Sequence, residues 1–600
     1  MFEDLLTDAS VAFRLAVEEL GLTYSEDPEW VPIPFKGKWG FGTPASFQIA
    51  AAEAKSGKKI NVPQRADEIA SLVSKSILPP SGIDAIEAER GYLNLFIQTR
   101  TYAEHVIDNV LENGDDFGKG KKFGERVMVE YAQPNTHHSF HIGHARNAML
   151  GESLARLVEF AGFDTIRASY PGDIGLGVIT CVWAYDKFYR GQEPEGIHQK
   201  GQWLAGIYTE ATSLVTPSDD DSESTLNEKA ASDEERRDLL KKWDDGDPQV
   251  RALWWETRQW SLDELSEILT LLGIEIDVYF YESEVIGPAK EIVDELITLG
   301  IAEDERPDGP VIVRIDEKLG LTKEKYRTAV ILRSDGTALY LTNDLALAKE
   351  KFEKYGVDRS IYVVDVRQSL HFQQAFKILE LWGFPQAQYC RHLAYGFVTL
   401  PEGAMSARRG NVVLFMDVYE EAKRRVSNII DEKNPDLSED QREKVVHQVG
   451  LGALTYSMLA VDNNKDIIFN WDDALSFDGH SAPYIQNAHV RAMSILRRAG
   501  EVPGRASFNY NLDETEIELI DIISRFQNTV KKAATEYKPL LMATYAYDLA
   551  KAFHHFYHAV RVLQADTDNI RDARIRLTDA SRQTLANALR LLGIEAPEMM

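Results

Sequence analysis

Residues 126–144 read RVMVEYAQPNTHHSFHIGH, and this stretch contains the pattern that decides the fold. Its first part, 126–132, is a compact run of β-prone residues. From 143 to 161, apolar side chains recur at helical spacing, and Gly162 follows where a helix would end. The order strand, loop, helix is the unit from which open α/β sheets are built.

The loop between this strand and this helix carries histidines that suit a phosphate site. His141 and His144 flank Gly143 at the first turn of the predicted helix. A helix N-terminus offers backbone N–H groups and a positive dipole end to an anion, and glycine permits close approach. Imidazoles in this place can donate hydrogen bonds to phosphoryl oxygens during displacement at the α-phosphorus. The alternative is a helix N-terminus with incidental histidines, which is how we interpret His137 and His138.

Strand-like runs farther along the chain extend this unit into a sheet. They lie at 311–315, 329–333, 338–342 and 361–364, and residues 334–337 (SDGT) predict a hairpin turn between the middle two. Helical segments separate the other runs, which favours an open α/β sheet. Residues 216–247 are rich in Ser, Asp and Glu, and we expect them to form a solvated, partly disordered insertion.

The chain is long enough for several domains, because it has 600 residues, of which 44% are hydrophobic. This composition excludes the disordered, collagen-like and coiled-coil classes. Predicted helices at 5–20 and 101–111 and a strand at 92–97 indicate a separate unit over residues 1–120, with a linker at 114–124. Beyond residue 471 every predicted element is a helix, at 481–498, 514–537, 544–564 and 571–592.

Cysteine usage and hydropathy limit where the protein works. Cys181 and Cys390 are far apart and have no neighbouring cysteine, which excludes a disulfide scaffold and a zinc knuckle. The start of the chain lacks the basic and apolar segments of a secretory signal, and no apolar run approaches the roughly 20 residues that span a bilayer. We therefore expect a soluble, cytoplasmic protein that does not enter a membrane.

The net charge of −29, from 95 acidic and 66 basic residues, argues against a nucleic-acid partner when it is averaged over the chain. The last 110 residues differ, since about fifteen basic and about fourteen acidic residues nearly cancel there. A polyanion can therefore bind at that end. Dense surface acid is also typical of proteins from salt-adapted organisms, because salt screens charge repulsion over a few ångström.

Residues 141–144 (HIGH) resemble the signature of class I aminoacyl-tRNA synthetases. The surrounding residues, from Glu130 through Pro134 and Asn135 to 145–154 (ARNAMLGESL), resemble the arginyl-tRNA synthetases in particular. Further matches follow in the family's order at 340–344 (YLTND), 368–371 (QSLH), 405–411 (MSARRGN), 483–486 (PYIQ) and 592–597 (LGIEAP). The resemblance covers nearly the whole chain and is weakest over 216–247 and parts of residues 1–120.

The resemblance implies an α/β protein with three domains. These are an N-terminal domain at 1–120 that contacts the tRNA elbow, a Rossmann-like catalytic domain at 121–470 and an α-helical anticodon-binding domain at 471–600. It implies ATP-dependent ligation of L-arginine to the 3′ end of tRNA(Arg) through arginyl-adenylate, with release of AMP and pyrophosphate. It further implies Mg²⁺ with ATP, no zinc or other protein-bound metal, and activation that requires bound tRNA; we expect a monomer. Two alternatives stay open, namely a HIGH-bearing synthetase for another amino acid and a weakened relative that only binds tRNA.

Residue chemistry favours arginine independently of the resemblance. Asp344, four residues after Tyr340, can accept a guanidinium bidentately while the Tyr340 ring packs on that planar cation. A lysine substrate could not fill such a site equally well. The resemblance assigns Glu130, Asn135, Tyr340, Asp344 and Gln368 to the arginine pocket. Considered without the resemblance, Asp344 is also a candidate helix N-cap.

The resemblance also assigns the ATP side and the leaving group. Residues 404–407 correspond to the family's KMSK tetrapeptide, but alanines stand at both lysine positions, Ala404 and Ala407. Stabilisation of pyrophosphate therefore falls to Arg408 and Arg409, which join His141 and His144 as the catalytic residues. The ATP contacts implied by the resemblance are Pro134, Asn135, His141, Gly143, His144, His371, Met405 and Ser406.

Contacts with tRNA are implied at three positions. Tyr484 and Gln486 open the helical domain, where the family reads anticodon bases by stacking them on aromatic or apolar side chains. Asn94 lies in the predicted strand of the N-terminal unit, where the family's domain contacts the tRNA elbow. The residues alone leave core packing open for Tyr484 and an ordinary strand position open for Asn94.

Overall fold

The computed structural model describes residues 2–56, 60–399 and 413–600. By their internal contacts these residues divide into two units. One unit contains 1–117, 488–526 and 548–587, and the other contains 118–487, 527–547 and 588–600. Because both units take up parts of the helical C-terminal region, the boundaries predicted near residues 120 and 470 stay predictions.

The first unit begins with a four-stranded antiparallel sheet in the order β1-β2-β4-β3. Apolar residues such as Phe13, Val17, Ile69 and Leu93 form its core. The helices predicted at 5–20 and 101–111 and the strand predicted at 92–97 are confirmed. Its N-terminal elements are α1 (Glu3–Glu19), β1 (Val31–Pro32), β2 (Gly40–Thr43), α2 (Ala45–Lys55), α3 (Val62–Ser76), β3 (Ile83–Glu89), β4 (Tyr92–Ile97) and α4 (Thr99–Asn113).

The second unit contains a five-stranded parallel sheet in the order β12-β11-β5-β6-β7, with β5 at its centre. A separate three-stranded antiparallel sheet has the order β10-β9-β8. The elements up to residue 399 are β5 (Arg126–Glu130), α5 (Ile142–Phe160), β6 (Asp164–Ser169), α6 (Leu176–Ala184), α7 (Ile197–Val215), α8 (Glu223–Asp244), α9 (Pro248–Leu271), β7 (Val278–Tyr279), α10 (Glu282–Thr298), β8 (Glu303–Asp304), β9 (Val311–Arg314), α11 (Ile315–Lys318), β10 (Thr328–Leu332), α12 (Tyr340–Lys354), β11 (Arg359–Asp365), α13 (Ser369–Trp382), β12 (Arg391–Tyr395) and β13 (Val398–Thr399).

Helices dominate the remainder of the chain, as predicted. Within residues 471–600, all of which the structure describes, no strand occurs. The helix predicted over 514–537 is broken at Arg525, and the helix predicted over 544–564 lies at 539–559 and ends five residues early. The helices predicted at 481–498 and 571–592 are confirmed. None of the described helices is both long and apolar enough to cross a membrane. The elements are α14 (Phe415–Lys433), α15 (Glu439–Leu459), β14 (Ile467–Ile468), α16 (Trp471–Ala474), α17 (Ala482–Ala499), α18 (Glu514–Ser524), α19 (Phe526–Glu536), α20 (Pro539–Ala559) and α21 (Asp568–Leu591).

The strand predicted at 338–342 is wrong, because α12 begins at Tyr340. The turn before it is present, since Arg333 N donates to Thr337 O at 3.0 Å, but beyond the turn only an isolated bridge joins Leu332 to Ala338. The chain turns helical because apolar side chains recur there with the helical period, and these side chains are buried.

The disorder expected within 216–247 is also wrong, because residues 223–244 form helix α8. Ser222 caps this helix, with its Oγ accepting from Thr225 N at 3.2 Å, and Trp243 is buried. Two of its acids pair with bases one turn away, Asp233 with Arg237 at 2.8 Å and Asp238 with Lys242 at 2.8 Å. The acid-rich composition therefore reflects a solvated helix surface rather than an unfolded segment.

Candidate active site

The first turn of α5 is built by its own histidines. His141 is the N-cap, and its Nδ1 accepts hydrogen bonds from Gly143 N at 3.1 Å and His144 N at 3.2 Å. His144 Nδ1 accepts in turn from His141 N at 3.4 Å, and the two rings stack with centroids 3.6 Å apart. Because both Nδ1 atoms are acceptors, each neutral ring carries its proton on Nε2.

Burial keeps both imidazoles neutral. It lowers the pKa of His141 and holds the pKa of His144 well below the usual histidine value, and neighbouring histidines add to both effects. At neutral pH the pair therefore offers two Nε2–H donors without a net charge. Donors fixed in this way can stabilise developing phosphoryl charge without reorganising.

A cavity of about 1120 Å³ lies beside this turn. Four of the predicted site residues line it, namely Asn135, His141, His144 and Gln368. Helix α7 forms another part of its wall, for which the sequence carries no signal that we recognise. Asp365 and Arg367, at the carboxyl end of β11, also line it. Further lining residues that sequence reasoning missed are Gln133, Asn147, Gln202, Tyr208, Thr209, Tyr395 and Asp417.

Asn147 holds the two central strands at the edge of the cavity. Its Oδ1 accepts from Ala132 N at 2.5 Å, just beyond β5, and its Nδ2 donates to Val363 O at 2.6 Å in β11. Ala132 has a φ of 56°, so the chain turns sharply out of the sheet at this point. The cavity thus lies at the carboxyl ends of parallel strands, where open α/β sheets bind ligands.

Four carboxylates act on the partly buried phenol of Tyr170. They belong to Glu130, Asp173, Glu282 and Asp344, which we call the acid group. Burial and then these four charges raise the pKa of Tyr170 far above its usual value. Such a concentration of negative charge favours a cationic ligand.

Three members of the acid group already have a basic partner. The pairs are Glu130 with Lys351, Asp173 with Arg258 at 2.7 Å, and Asp344 with His371. Glu282 has no ion-pair partner among the residues that the structure describes. Burial raises its pKa to about 7, and Asp173 and Asp344 add to this effect. Its charge is therefore the one left for a ligand to balance.

Gly172 connects the acid group to the cavity. A Cβ built at this glycine would lie 2.4 Å from Asn135 Oδ1 and 3.3 Å from Glu282 Oε2. Both side chains therefore approach the backbone at 172 closely, which only glycine permits. Because Asn135 lines the cavity together with the histidine pair, Glu282 of the acid group lies next to the cavity wall.

The remaining predicted site residues differ in exposure. Tyr340 begins α12 with 68% of its surface exposed, whereas Glu130 and Pro134 are buried. Asp344 is not a helix N-cap, because Leu339 holds that position. The predicted ATP contact His371 pairs with the predicted arginine ligand Asp344, so the two side chains meet.

His137 is part of the packing. It is fully buried, bonds to Thr257 Oγ1 at 2.8 Å, and burial lowers its pKa to about 3. His138 lines the cavity and lies 4.1 Å, ring to ring, from Tyr208. Met405, Ser406, Arg408 and Arg409 lie outside the described residues.

Two of the predicted tRNA contacts lie at the start of α17. Tyr484 packs with its ring 5.4 Å from that of Tyr547, which stacks on His480 at 3.6 Å. Gln486 is fully buried, and its Nε2 donates to Gln448 O at 3.1 Å and to Glu595 O at 2.9 Å. The role of either residue toward tRNA stays a prediction.

The third predicted contact, Asn94, lies within β4. Its side chain is 8% exposed and packs on Gly42, where a Cβ would lie 2.7 Å from Asn94 Oδ1. An elbow contact through this side chain stays a prediction.

Comparison with known proteins gives matches along the whole chain. The family described as "tRNA synthetases class I (R), catalytic domain" matches residues 106–471, and the "DALR anticodon binding domain" matches 485–600. The chain is 35% identical over 513 residues to an arginine–tRNA ligase of Bdellovibrio bacteriovorus, covering 85% of this chain and 86% of the relative. It is 32% identical over 581 residues to that of Clostridium acetobutylicum, covering 95% and 96%.

A solved structure agrees with these sequence matches. The arginyl-tRNA synthetase of Thermus thermophilus superposes with a TM-score of 0.77 at 25% identity, covering 99% of this chain and 100% of that one. The predicted α/β fold, with a Rossmann-like catalytic domain and a helical anticodon-binding domain, is confirmed. The chain belongs to the arginyl-tRNA synthetases, the class I aminoacyl-tRNA synthetases that attach arginine to tRNA(Arg).

Proposed function

We propose that the site described above carries out both steps of arginine ligation. In the first step a carboxylate oxygen of arginine attacks the α-phosphorus of ATP, the bond to the β-phosphate oxygen breaks, and pyrophosphate leaves. In the second step a terminal ribose hydroxyl of the tRNA attacks the carbonyl carbon of arginyl-adenylate, and AMP leaves. The observation that carries this proposal is that Glu282 of the acid group and Asn135 both lie against Gly172, and that Asn135 lines the same cavity as the first turn of α5.

The acid group is the proposed arginine site. Asp344 accepts the guanidinium, Glu282 supplies the charge without a partner, and the ring of Tyr340 packs on the cation. Asn135 and Gln368 hold the amino and carboxylate end, because both line the cavity. Glu130 adds negative charge near the arginine site without contacting the substrate, since its carboxylate accepts a hydrogen bond from Lys351.

The histidine pair and the arginines after it serve the phosphates. His141 and His144 donate through Nε2 to oxygens of the α-phosphate as their charge grows. Arg408 and Arg409 stabilise the pyrophosphate in place of the lysines that this chain lacks. Pro134, Gly143, His371, Met405 and Ser406 complete the proposed ATP contacts.

Mg²⁺ enters with ATP in this proposal, because it prefers phosphate and carboxylate oxygens and keeps several waters. Asp365 and Asp417 are the carboxylates on the cavity wall, and Asp365 is already bonded to Arg367. Asp417 is therefore the residue that would hold the ion. The ion supplies charge neutralisation on the phosphates, and the proposed reaction uses no zinc.

Binding of tRNA is proposed at the two ends of the chain. Tyr484 and Gln486 belong to the anticodon-binding region, and Asn94 belongs to the elbow-binding region. The charge balance of the last 110 residues supports the placement at the C-terminal end, because a polyanion meets no net repulsion there. We propose a monomer that works in the cytoplasm, where its substrates are.

The test measures transfer of labelled arginine or lysine to total tRNA with ATP and Mg²⁺. We expect charging with arginine only. Asp344→Asn should raise the KM for arginine by about 10- to 100-fold, because a charged hydrogen bond contributes about 1.5–3 kcal/mol. Glu350→Gln on the same helix is the matched control, since that exposed pair with Lys354 contributes little. An unchanged KM for arginine in Asp344→Asn would contradict the assignment.

A further inference from the structure

Arg146 lies two residues beyond His144 on α5, and its side chain is fully buried. Its guanidinium donates to three main-chain carbonyls: Nη1 to Gly396 O at 2.6 Å and Phe397 O at 3.2 Å, and Nη2 to Asn463 O at 3.1 Å. None of the ion pairs in the described part of the chain includes it. A buried charge held only by carbonyls is costly, which indicates a role beyond filling space.

The three carbonyls belong to one junction in the backbone. Gly396 and Phe397 lead directly into β13, which pairs in parallel with β14, and Asn463 lies just before β14. Gly396 N donates to Asn463 O at 3.0 Å, and Phe397 N donates to Asp466 Oδ1 at 2.7 Å. The junction is tight, because a Cβ at Gly396 would lie 2.6 Å from Lys465 O.

The same helix also holds the chain on the far side of residues 400–412. Ile142 N donates to Val413 O at 3.0 Å, and Phe415 N donates to Phe140 O at 3.0 Å. The first turn of α5 therefore fixes the backbone after this segment, while Arg146 fixes the backbone before it. Both attachments come from the element that carries His141 and His144.

We infer that Arg146 is a positioning residue for the activation step, because it fixes where the chain leaves for Arg408 and Arg409 relative to the histidine pair. This inference rests on the proposed role of Arg408 and Arg409 toward pyrophosphate. Only a guanidinium fork can reach carbonyls on both sides of the junction at once, whereas lysine offers a single point of charge.

The test is Arg146→Lys, measured as arginylation of tRNA with ATP and arginine varied separately. A misplacement of about 1 Å costs about 100-fold in rate, so we expect kcat/KM for ATP to fall by about that factor. The KM for ATP should rise while the KM for arginine stays within about twofold, whereas a general loss of folded enzyme would lower kcat and leave both KM values unchanged. Arg156→Lys is the matched control, because Arg156 on the same helix also donates to carbonyls, those of Arg590 at 3.0 Å and Gly273 at 2.9 Å.

Asp466→Asn gives a second variant should Arg146→Lys not fold. It weakens the bond to Phe397 N from the exposed side of the junction, and we expect a loss of about fivefold in kcat/KM for ATP. An unchanged kcat/KM for ATP in this variant would count against the inference.

A double-mutant cycle connects Arg146 to the arginines beyond it. If Arg146 acts through them, adding Arg146→Lys to the double variant Arg408→Ala, Arg409→Ala should lower kcat/KM for ATP by less than about threefold further. Full losses in both backgrounds, or no loss from Arg146→Lys alone, would overturn the inference and leave the proposed function standing. Unchanged activity in Arg408→Ala, Arg409→Ala would overturn the proposed leaving-group role, and the inference with it.

Discussion

Replacing Lys351 with methionine should destabilise the catalytic core by about 3–5 kcal/mol, the usual cost of leaving one partner of a buried ion pair alone. Lys351 is fully buried, and its ammonium donates to the carboxylate of Glu130, which is 3% exposed. The ammonium also lies 4.2 Å from the ring centroid of Tyr362. Methionine keeps most of the volume, so the loss comes from the carboxylate that remains and not from a cavity.

The assay is the free energy of unfolding from urea titration, followed by the far-UV signal of the full chain. Glu130→Leu combined with Lys351→Met should recover most of the stability, because an apolar pair can replace a buried ion pair. A loss below about 1 kcal/mol in Lys351→Met, or a double variant no more stable than the single one, would refute the reasoning.

The loss should also depend on pH. Burial raises the pKa of Glu130 above its unfolded value, which is about 4.3, while Lys351 opposes this rise. Without the lysine the folded pKa rises further, so the folded state of the variant binds the proton more tightly than the unfolded state. The free energy of unfolding of Lys351→Met then falls as pH rises from the unfolded pKa of Glu130 through its raised folded pKa. The loss of stability relative to the unmodified chain should therefore be smaller at pH 5 than at pH 8.

Three further outcomes follow from the site. His144→Ala should lower the rate constant of single-turnover arginylation by about 100-fold or more, because it removes a fixed donor to the phosphates. Gly172→Ala should raise the KM for arginine about fivefold, because the new Cβ displaces the Asn135 amide, while the free energy of unfolding stays unchanged. The KM for arginine should fall between pH 6 and pH 8 as Glu282 ionises near its pKa of about 7, and Glu282→Gln should remove that dependence.

The sequence alone predicts the elements whose signals are local. Residues 126–144 predict β5, the loop and the start of α5 because β-prone residues, a tight loop and a helical repeat follow each other without interruption. The spacing of Tyr340 and Asp344 places both on one face when the segment is a helix, whereas the turn before it favours a strand over 338–342. The hairpin turn at 334–337 misled that prediction, because a good turn predicts a second strand but does not require one.

The sequence does not predict features that depend on residues far apart in the chain. Lys351 stands in the run KEKFEK, which is typical of an exposed helix surface, and only the packing of α12 against the sheet buries it. The charge of Asp344 raises the pKa of Glu282 although the two residues are far apart in the chain, so neither position alone predicts this interaction.

The acid excess of this chain has at least two physical sources that its total of −29 cannot separate. One source is helix α8, where acidic residues at the surface pair with basic residues one turn away, as Asp233 does with Arg237 at 2.8 Å. The other source is the acid group at the site, in which three of the four acidic residues have basic partners. Salt weakens the surface pairs but hardly affects the buried ones, because screening acts on charges in water. Arginylation activity measured at increasing KCl concentration therefore tests whether the surface charge is adapted to salt. The KM for arginine should stay nearly constant in the same series, because the charges at the site are buried.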